Sequence, residues 1–396
     1  MISRQLNWLQ VAALLVSASY GVGFLFDSGE LPGTRGMAGT LYPWLTALGM
    51  ALLAVFAGRV WSAGVAVWDM LGDMYGASVK NQVALLSVIW MTGVLAAQIH
   101  GGVAVLQLCA MPSWFAFPVM LALIFVASRL ELRAASKAFE LCVLASSLVL
   151  VFSLHKIGGG KVYLDAIPQF TRDVRDVRAG ELSTMTLAIV FLVITGADYQ
   201  QFIIAAQGRL HAILGCGLAA VCLLIVGPLP ASAAVAANHS GLLAGMGDAR
   251  QAIPMILASV SPKVGHGWAV AMLMALLGAA LGSAAAMIRA MTSASIGCRA
   301  EGAWGRACVS LAIVLLGGVI ASRDKRLFKP WWISTSSTSR VLLRCLSFCC
   351  SASVSLPYRK MEHHTRLHCC RLLLCRQMAR HRTQRHSVRC ARARRA

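Results

Sequence analysis

The chain of 396 residues is 58% hydrophobic and only 13% charged, which excludes a soluble protein with a large water-facing surface. Its apolar runs exceed the roughly 18 residues that indicate a transmembrane helix. The composition therefore predicts a polytopic membrane protein.

The net charge of +21 is concentrated at the C-terminal end. Residues 323–396 carry 18 Lys or Arg against two acidic residues, a net charge of +16, and they contain seven of the 13 cysteines. The remaining residues carry 18 basic and 13 acidic side chains, a net charge of only +5. We therefore predict a transmembrane domain over residues 1–322 and a separate basic tail over 323–396.

The first apolar run contains a polar stretch, SASYGVGFLFDSGE, at residues 17–30. Each glycine costs a soluble helix about 1 kcal/mol relative to alanine, and a broken helix in lipid leaves backbone groups that only protein or water can satisfy. The stretch therefore predicts a break where the backbone faces something other than lipid. No small-residue cleavage site follows, and eight more apolar segments do, so the run is not a cleavable signal peptide.

Nine transmembrane spans are predicted in total. They cover about 7–26, 42–63, 82–107, 113–128, 138–154, 183–204, 210–236, 267–291 and 305–321. The basic residues Arg129, Arg133, Lys137, Arg209, Arg299 and Arg306 all lie in connections from an even-numbered to an odd-numbered span. Positive residues favour the cytoplasmic side, so the N-terminus is predicted to be cytoplasmic.

The long connection at residues 155–181 is predicted to lie outside the cell as a partial helix. Its RDVRDVR run alternates in sign, which favours a solvated helix face over a nucleic-acid patch. The HKIGGGK segment lacks the ending of a phosphate-binding loop, and the sequence has no serine-nucleophile or zinc-protease motif. No enzyme activity and no nucleic-acid partner are predicted.

Polar residues within apolar spans are functional candidates because burying them in lipid is costly. Beyond the first run, three clusters qualify: Gln98 and His100; Thr195, Asp198, Gln200 and Gln201; and Gly282, Ser283 and Arg289. Each cluster has a purely structural alternative: close helix packing for the small residues, an interior hydrogen bond for His100, a solvated helix end for Asp198, and a snorkelling side chain for Arg289. Together, an interrupted first helix and a hydroxyl-bearing eighth are typical of an ion-coupled transporter.

The sequence resembles the sodium:solute symporter family over residues 7–322. Three segments carry the resemblance: residues 67–106 with a turn at Met74-Tyr75-Gly76, GADYQQFIIAAQ, and AIPMILASVSP followed by ALLGAALGSAAAMIRAMTSAS. The resemblance implies the LeuT fold, an all-α bundle of two inverted five-helix repeats that works by alternating access. It also implies that the broken first helix lines the central site.

The resemblance further implies an ion site and a solute site. The sodium ligands would be carbonyls near Val16 and Ser19, the carbonyl of Ala279 and the hydroxyl of Ser283. The solute would lie beside Tyr20, Gly21, Gly23, Gln98 and the middle of the sixth span. No other cofactor is implied, and the partners are a small solute and the lipid bilayer of a bacterial inner membrane.

Some residues depart from the family pattern. The family commonly has two adjacent hydroxyl residues in helix eight, and the first of these positions is Gly282 here. The signature arginine is replaced by Phe202 and the signature lysine by Gln207. Proton coupling through Asp27, Glu30 or His100 is therefore an alternative to sodium.

The basic tail is a second departure, because no tenth span is visible and the C-terminal repeat is incomplete. One reading is a tail that binds anionic lipid or RNA. A metal site at His363, His364, His368, Cys369, Cys370 and Cys375 is another, although the spacing matches no standard zinc pattern. We favour a shifted reading frame, since arginine, cysteine and serine are enriched without periodicity.

The predicted function is ion-coupled secondary transport of a small solute. A symporter-like sensor that binds a solute without moving it is the alternative from another class. A third interpretation is a truncated, inactive product.

Overall fold

The computed structural model describes residues 4–21, 36–109, 111–243, 252–260, 266–296 and 303–323. Three predicted site residues, Gly23, Asp27 and Glu30, lie outside these ranges, as does the predicted basic tail beyond Arg323. All of the described residues belong to one compact unit, Met1–Ser339.

The described chain consists of helices and their connections. Its first half contains α1 (Trp8–Ser19), α2 (Leu41–Ala63), α3 (Val67–Tyr75), α4 (Ala77–Leu108), α5 (Ser113–Arg129), α6 (Leu132–Lys156), α7 (Gly160–Leu164) and α8 (Ala166–Asp173). Its second half contains α9 (Ala179–Thr195), α10 (Ala197–Ile204), α11 (Arg209–Val226), α12 (Pro228–His239), α13 (Ala252–Val260), α14 (His266–Ile296) and α15 (Ala303–Arg323). Two 3₁₀ helices, Gly36–Thr40 and Val174–Asp176, complete the set. The all-α prediction is confirmed for this part of the chain.

Seven segments of the described chain are long and apolar enough to cross a membrane. They are Gly36–Ala63, Ala77–Gln107, Leu132–Lys156, Ala179–Ile204, Arg209–His239, Leu273–Ser295 and Trp304–Ser322. A helix satisfies its backbone hydrogen bonds within the segment, which hydrocarbon requires. The two remaining predicted spans correspond to the shorter apolar helices α1, of 12 residues, and α5, of 17 residues. Each of the nine predicted spans therefore coincides with an apolar helix.

Helix α1 ends at Ser19, within the predicted polar stretch, because the backbone of Tyr20 leaves the helical region. Residues 22–26 of the first predicted span lie outside the described residues. The fifth span begins at Leu132 instead of 138, so Arg133 and Lys137 lie in the first turns of α6 and not in the preceding loop. Charged side chains at a helix end reach the headgroup region, and they do not mark the boundary itself.

The sixth and seventh predicted spans are each divided into two helices. Gly196 separates α9 from α10 with an extended backbone, at φ −63° and ψ 119°. Gly227 and Pro228 separate α11 from α12, and proline fits the first position of a helix because that position needs no N–H donor. Both divisions follow from residues that are poorly tolerated inside a helix.

The connection predicted as a partial helix forms α7, α8 and the 3₁₀ helix Val174–Asp176. The Asp173 carboxylate accepts a hydrogen bond of 2.6 Å from the backbone N–H of Met37, at the start of the first 3₁₀ helix. Phe170 packs edge-on against Trp44 of α2, with 4.5 Å between ring centroids. These contacts fix the connection against one end of α2.

Helix packing brings α1, α10 and α14 together. Helix α14 packs against α4, α5 and α6, and it also contacts α1 and α10. Helix α2 packs against α9 and α11. Small residues permit close approach at these seams, since a Cβ atom added at Gly49 would lie 2.8 Å from Cβ of Val193. The meeting of α1, α10 and α14 positions the candidate site.

Candidate functional site

Helix α1 is capped by side chains at its N-terminus and ends at the residues of the predicted break. Asn7 and Gln10 form a reciprocal capping box at the N-terminus of α1. At the other end, the Tyr20 N–H donates to the Val16 carbonyl at 2.7 Å, and the Ser19 hydroxyl donates to the Leu15 carbonyl at 2.9 Å. The helix ends there, so the predicted break falls at Tyr20 and Gly21.

Helix α14 meets this end of α1 through a hydroxyl group. Ser283 is buried, and its Oγ donates a hydrogen bond of 2.8 Å to the carbonyl oxygen of Ala18. The predicted pairing of Ser283 with α1 carbonyls therefore involves Ala18, which lies between the predicted Val16 and Ser19. Ala279 lies one turn earlier in α14.

Ser17 places a second hydroxyl at the same seam. Its side chain is 1% exposed, and within the described chain its Oγ has no hydrogen-bond partner. A Cβ atom added at Gly282 of α14 would overlap that oxygen. A buried polar group without a partner costs about 1–3 kcal/mol, so this hydroxyl calls for an explanation.

The predicted solute residues Tyr20, Gly21 and Gln98 lie together. Tyr20 is fully buried, and its side chain lies beside Ser147 of α6. Gln98 of α4 is 3% exposed, and its amide oxygen lies 2.6 Å from the position that a Cβ atom of Gly21 would take. Only a residue without a side chain allows Gln98 to approach the break in α1 this closely.

The break between α9 and α10 contains a buried polar cluster. Gln200 Nε2 donates to the Ile194 carbonyl at 3.0 Å, at the C-terminal end of α9. Gln201 Nε2 donates to two carbonyls at 2.9 Å, that of Asp198 and that of Ala286 in α14. The Asp198 carboxylate accepts from backbone N–H groups at the start of α10. Gln200 and Asp198 thus form hydrogen bonds with the backbone carbonyl and N–H groups that lack helical partners at the break.

One interpretation of the polar clusters was wrong. Asp198 is only 6% exposed, so it is not a solvated helix end. The Arg289 guanidinium donates to the carbonyls of Ala127, Ser128 and Leu130 at the end of α5, and its predicted snorkelling to the headgroups stays a prediction. Carbonyls at the end of a helix lack intrahelical donors, and a guanidinium supplies several.

His100 lies apart from this cluster. It is exposed on α4, two residues beyond the buried Gln98. Because residues two apart do not share a helix face, the side chains of Gln98 and His100 point in different directions. Sequence reasoning missed Ser17 as an individual site residue, although the polar stretch that contains it was the first feature to stand out.

No protein-family model matches the chain, and no curated protein matches its sequence. Among solved structures, the chain is similar to a substrate-bound, outward-open state of a Na⁺-coupled sialic acid symporter, with a TM-score of 0.67 and 11% identity. That match covers 81% of this chain and 74% of the symporter. The chain is also similar to MhsT in complex with L-phenylalanine, with a TM-score of 0.64, 12% identity, and 81% and 79% of the two chains covered.

The TM-scores establish the fold, and identities of 11% and 12% establish nothing beyond it. The protein is an all-α polytopic membrane protein of the LeuT type, and its described residues contain a partial second repeat. The predicted fold class is confirmed. Within this fold, α1 ends at Ser19 and the pair α9–α10 is divided at Gly196.

Proposed function

We propose that the protein is a sodium-coupled symporter of a small solute and that it resembles the sodium:solute symporter family in mechanism as well as in fold. The observation that carries the proposal is the seam between α1 and α14. There, the Ser283 hydroxyl meets the Ala18 carbonyl beside the unpartnered hydroxyl of Ser17. Unwound carbonyls and nearby hydroxyls are the ligands that transporters of this kind offer to Na⁺.

The chemistry of the donor set fits a hard cation. The atoms gathered at the seam are oxygens, which are the ligands hard cations prefer. Ser283 and the carbonyls at the end of α1, near Val16, Ala18 and Ser19, would hold the ion, with the Ala279 carbonyl as a further ligand. A bound cation supplies positive charge at the end of α1, where helix carbonyls concentrate negative potential.

The chain's own residues would couple that charge to solute binding. Tyr20 and Gly21 follow directly after the ion-binding turn, and Gln98 packs against Gly21. Holding the end of α1 against α14 therefore fixes the wall that the solute contacts. The solutes of the two similar structures, sialic acid and phenylalanine, indicate the size range to test first.

Uptake by proteoliposomes tests the proposal directly. The purified full-length chain would be screened with labelled amino acids, sialic acid, short carboxylates and urea under an inward sodium gradient. Matched vesicles would carry a potassium gradient or a proton gradient. We expect uptake of one solute class with sodium alone. Uptake driven only by protons would favour Asp27, Glu30 or His100 as the coupling residue, and binding without uptake would favour the sensor.

We also propose that the protein lies in a bacterial inner membrane with its N-terminus in the cytoplasm. Reporter fusions test the orientation. A fusion near Arg133 should report cytoplasm, because Arg129, Arg133 and Lys137 concentrate positive charge where α5 ends and α6 begins, and one near Gly159 should report periplasm. The reverse pattern at both sites would contradict the orientation.

A further inference from the structure

The sodium:solute symporter family, which the sequence resembles, commonly has two adjacent hydroxyl residues in this helix, and α14 has one at these positions. Residues 282 and 283 are Gly and Ser, so α14 itself offers a single hydroxyl to the seam. Ser283 uses that hydroxyl to contact Ala18 of α1. With one side-chain ligand absent, the site would bind a cation weakly unless another group replaced it.

The structure places such a group opposite Gly282. A Cβ atom built at Gly282 would overlap Oγ of Ser17, and it would lie 3.2 Å from the ring of Phe139 in α6. The Ser17 hydroxyl therefore occupies the volume that a side chain at position 282 would fill. Glycine is required there as long as Ser17 keeps this orientation.

The Ser17 hydroxyl is also available to a ligand. It is 1% exposed, and no described residue forms a hydrogen bond with its Oγ. The neighbouring Ser19 is different, because its hydroxyl is bonded to the Leu15 carbonyl within α1. Ser17 is directed instead towards α14.

We infer that Ser17 supplies the hydroxyl ligand that position 282 lacks, so that one cation is held between a hydroxyl from α1 and a hydroxyl from α14. The inference rests on the sodium coupling proposed above and assigns a residue to that site. With its two hydroxyl ligands on different helices, the cation would hold α1 to α14 through side chains as well as through the α1 carbonyls.

Sodium binding by the purified protein provides the test. The melting temperature in detergent would be measured at increasing NaCl, with choline chloride holding the ionic strength constant. An ion that binds the folded state alone stabilises it by RT ln(1 + [Na⁺]/Kd), a contribution that keeps rising with the sodium concentration. The measured quantity is the sodium dissociation constant obtained by fitting this dependence, and it does not depend on knowing the solute.

Four variants separate a ligand from a packing residue. We expect Ser17→Ala to raise the sodium dissociation constant on the order of tenfold, the effect of about 1.4 kcal/mol of lost binding free energy. Adding Gly282→Ser to Ser17→Ala should restore the wild-type value, because it returns a hydroxyl to the same volume from the other helix. Adding Gly282→Ala instead should restore nothing. The control is Ser136→Ala, since Ser136 is equally buried but bonds only the Arg133 carbonyl of α6.

The outcomes are distinct. A wild-type value for Ser17→Ala, or equal values for the two double variants, would overturn the inference and leave sodium coupling intact. A wild-type protein that sodium does not stabilise would overturn sodium coupling and the inference with it. If Ser17→Ala does not fold, the two double variants still decide the question, because both fill the same volume and differ by one hydroxyl.

Discussion

The two helix breaks of this protein differ in how completely their polar groups are hydrogen-bonded within the described chain. At the break between α9 and α10, the amides of Gln200 and Gln201 donate to the carbonyls of Ile194, Asp198 and Ala286. Backbone N–H groups at the start of α10, which have no carbonyl partner within the helix, donate to the Asp198 carboxylate. At this break, side chains of α10 therefore supply hydrogen bonds to the nearby backbone groups.

The end of α1 is less complete. Ser283 donates to the Ala18 carbonyl, but the buried hydroxyl of Ser17 has no hydrogen-bond partner among the described residues. Unpaired polar groups are rare in folded proteins, and this difference supports the proposal that an ion binds at the first break. The Tyr199 hydroxyl links the two breaks by bonding the Ser19 side chain.

The largest expected effect concerns the volume shared by Ser17 and Gly282. Gly282→Ala should lower the free energy of unfolding by about 2–3 kcal/mol, because the new methyl group overlaps the Ser17 hydroxyl and crowds Phe139. Gly217→Ala in α11 is the matched control, since nothing lies within 4 Å of its added Cβ atom, and it should stabilise the helix by up to about 1 kcal/mol. Unfolding in mixed micelles would measure both. Equal effects would contradict the close approach of α1 and α14.

The second prediction tests whether Gln201 holds α10 against α14. Gln201→Leu removes the side-chain donor from two partly buried carbonyls, those of Asp198 and Ala286, and it should cost about 2 kcal/mol of unfolding free energy. The control is Gln207→Leu, because Gln207 is exposed and donates to Gln5 at 3.2 Å, and it should change stability by less than about 0.5 kcal/mol. If Gln201→Leu leaves the free energy of unfolding unchanged, other contacts hold α10 in place.

The third prediction concerns the ion ligand that the sequence indicated. Ser283→Ala removes the hydroxyl that contacts Ala18, and the sodium requirement for half-maximal uptake should rise on the order of tenfold, equivalent to about 1.4 kcal/mol. Ser295→Ala, on the same helix, serves as the control because Ser295 is exposed and bonds only the Met291 carbonyl. An unchanged sodium requirement in Ser283→Ala would move the ion site away from this seam.

The smallest expected effect separates charge from hydrogen bonding at Asp198. Asp198→Ala should cost about 1 kcal/mol, because the carboxylate accepts backbone N–H groups in the first turn of α10, whereas Asp198→Asn should stay close to the wild-type stability because asparagine also accepts them. Thermal unfolding compares the two variants. If Asp198→Asn retains its stability but loses solute uptake, the carboxylate has a transport role.

Much of the fold could be predicted because apolar runs in a membrane protein have few alternatives to a helix. All nine predicted spans coincide with helices of the described chain. The interruption of the first span was also visible, since serine and glycine follow one another there. The divisions at Gly196 and Gly227 were not predicted, because a single glycine inside an apolar run is common in transmembrane helices.

The candidate site could be predicted only in part. The sequence pattern indicated Ser283, Tyr20, Gly21 and Gln98, which the fold brings to the end of α1, while the assignment of roles to them remains a prediction. Ser17 escaped notice as an individual because its significance depends on Gly282, which is 265 positions away. Ser17 and Gly282 indicate a ligand site only when they are considered together.

The sequence by itself determined that this chain is helical and membrane-spanning, and that its first helix is interrupted, because those properties depend on hydropathy and backbone preference over neighbouring residues. Only the tertiary structure decided where the polar side chains point. Asp198 is buried, Arg289 caps α5, His100 is exposed, and Ser17 faces Gly282. Orientation depends on which helices pack side by side, and residues far apart in the chain set that packing.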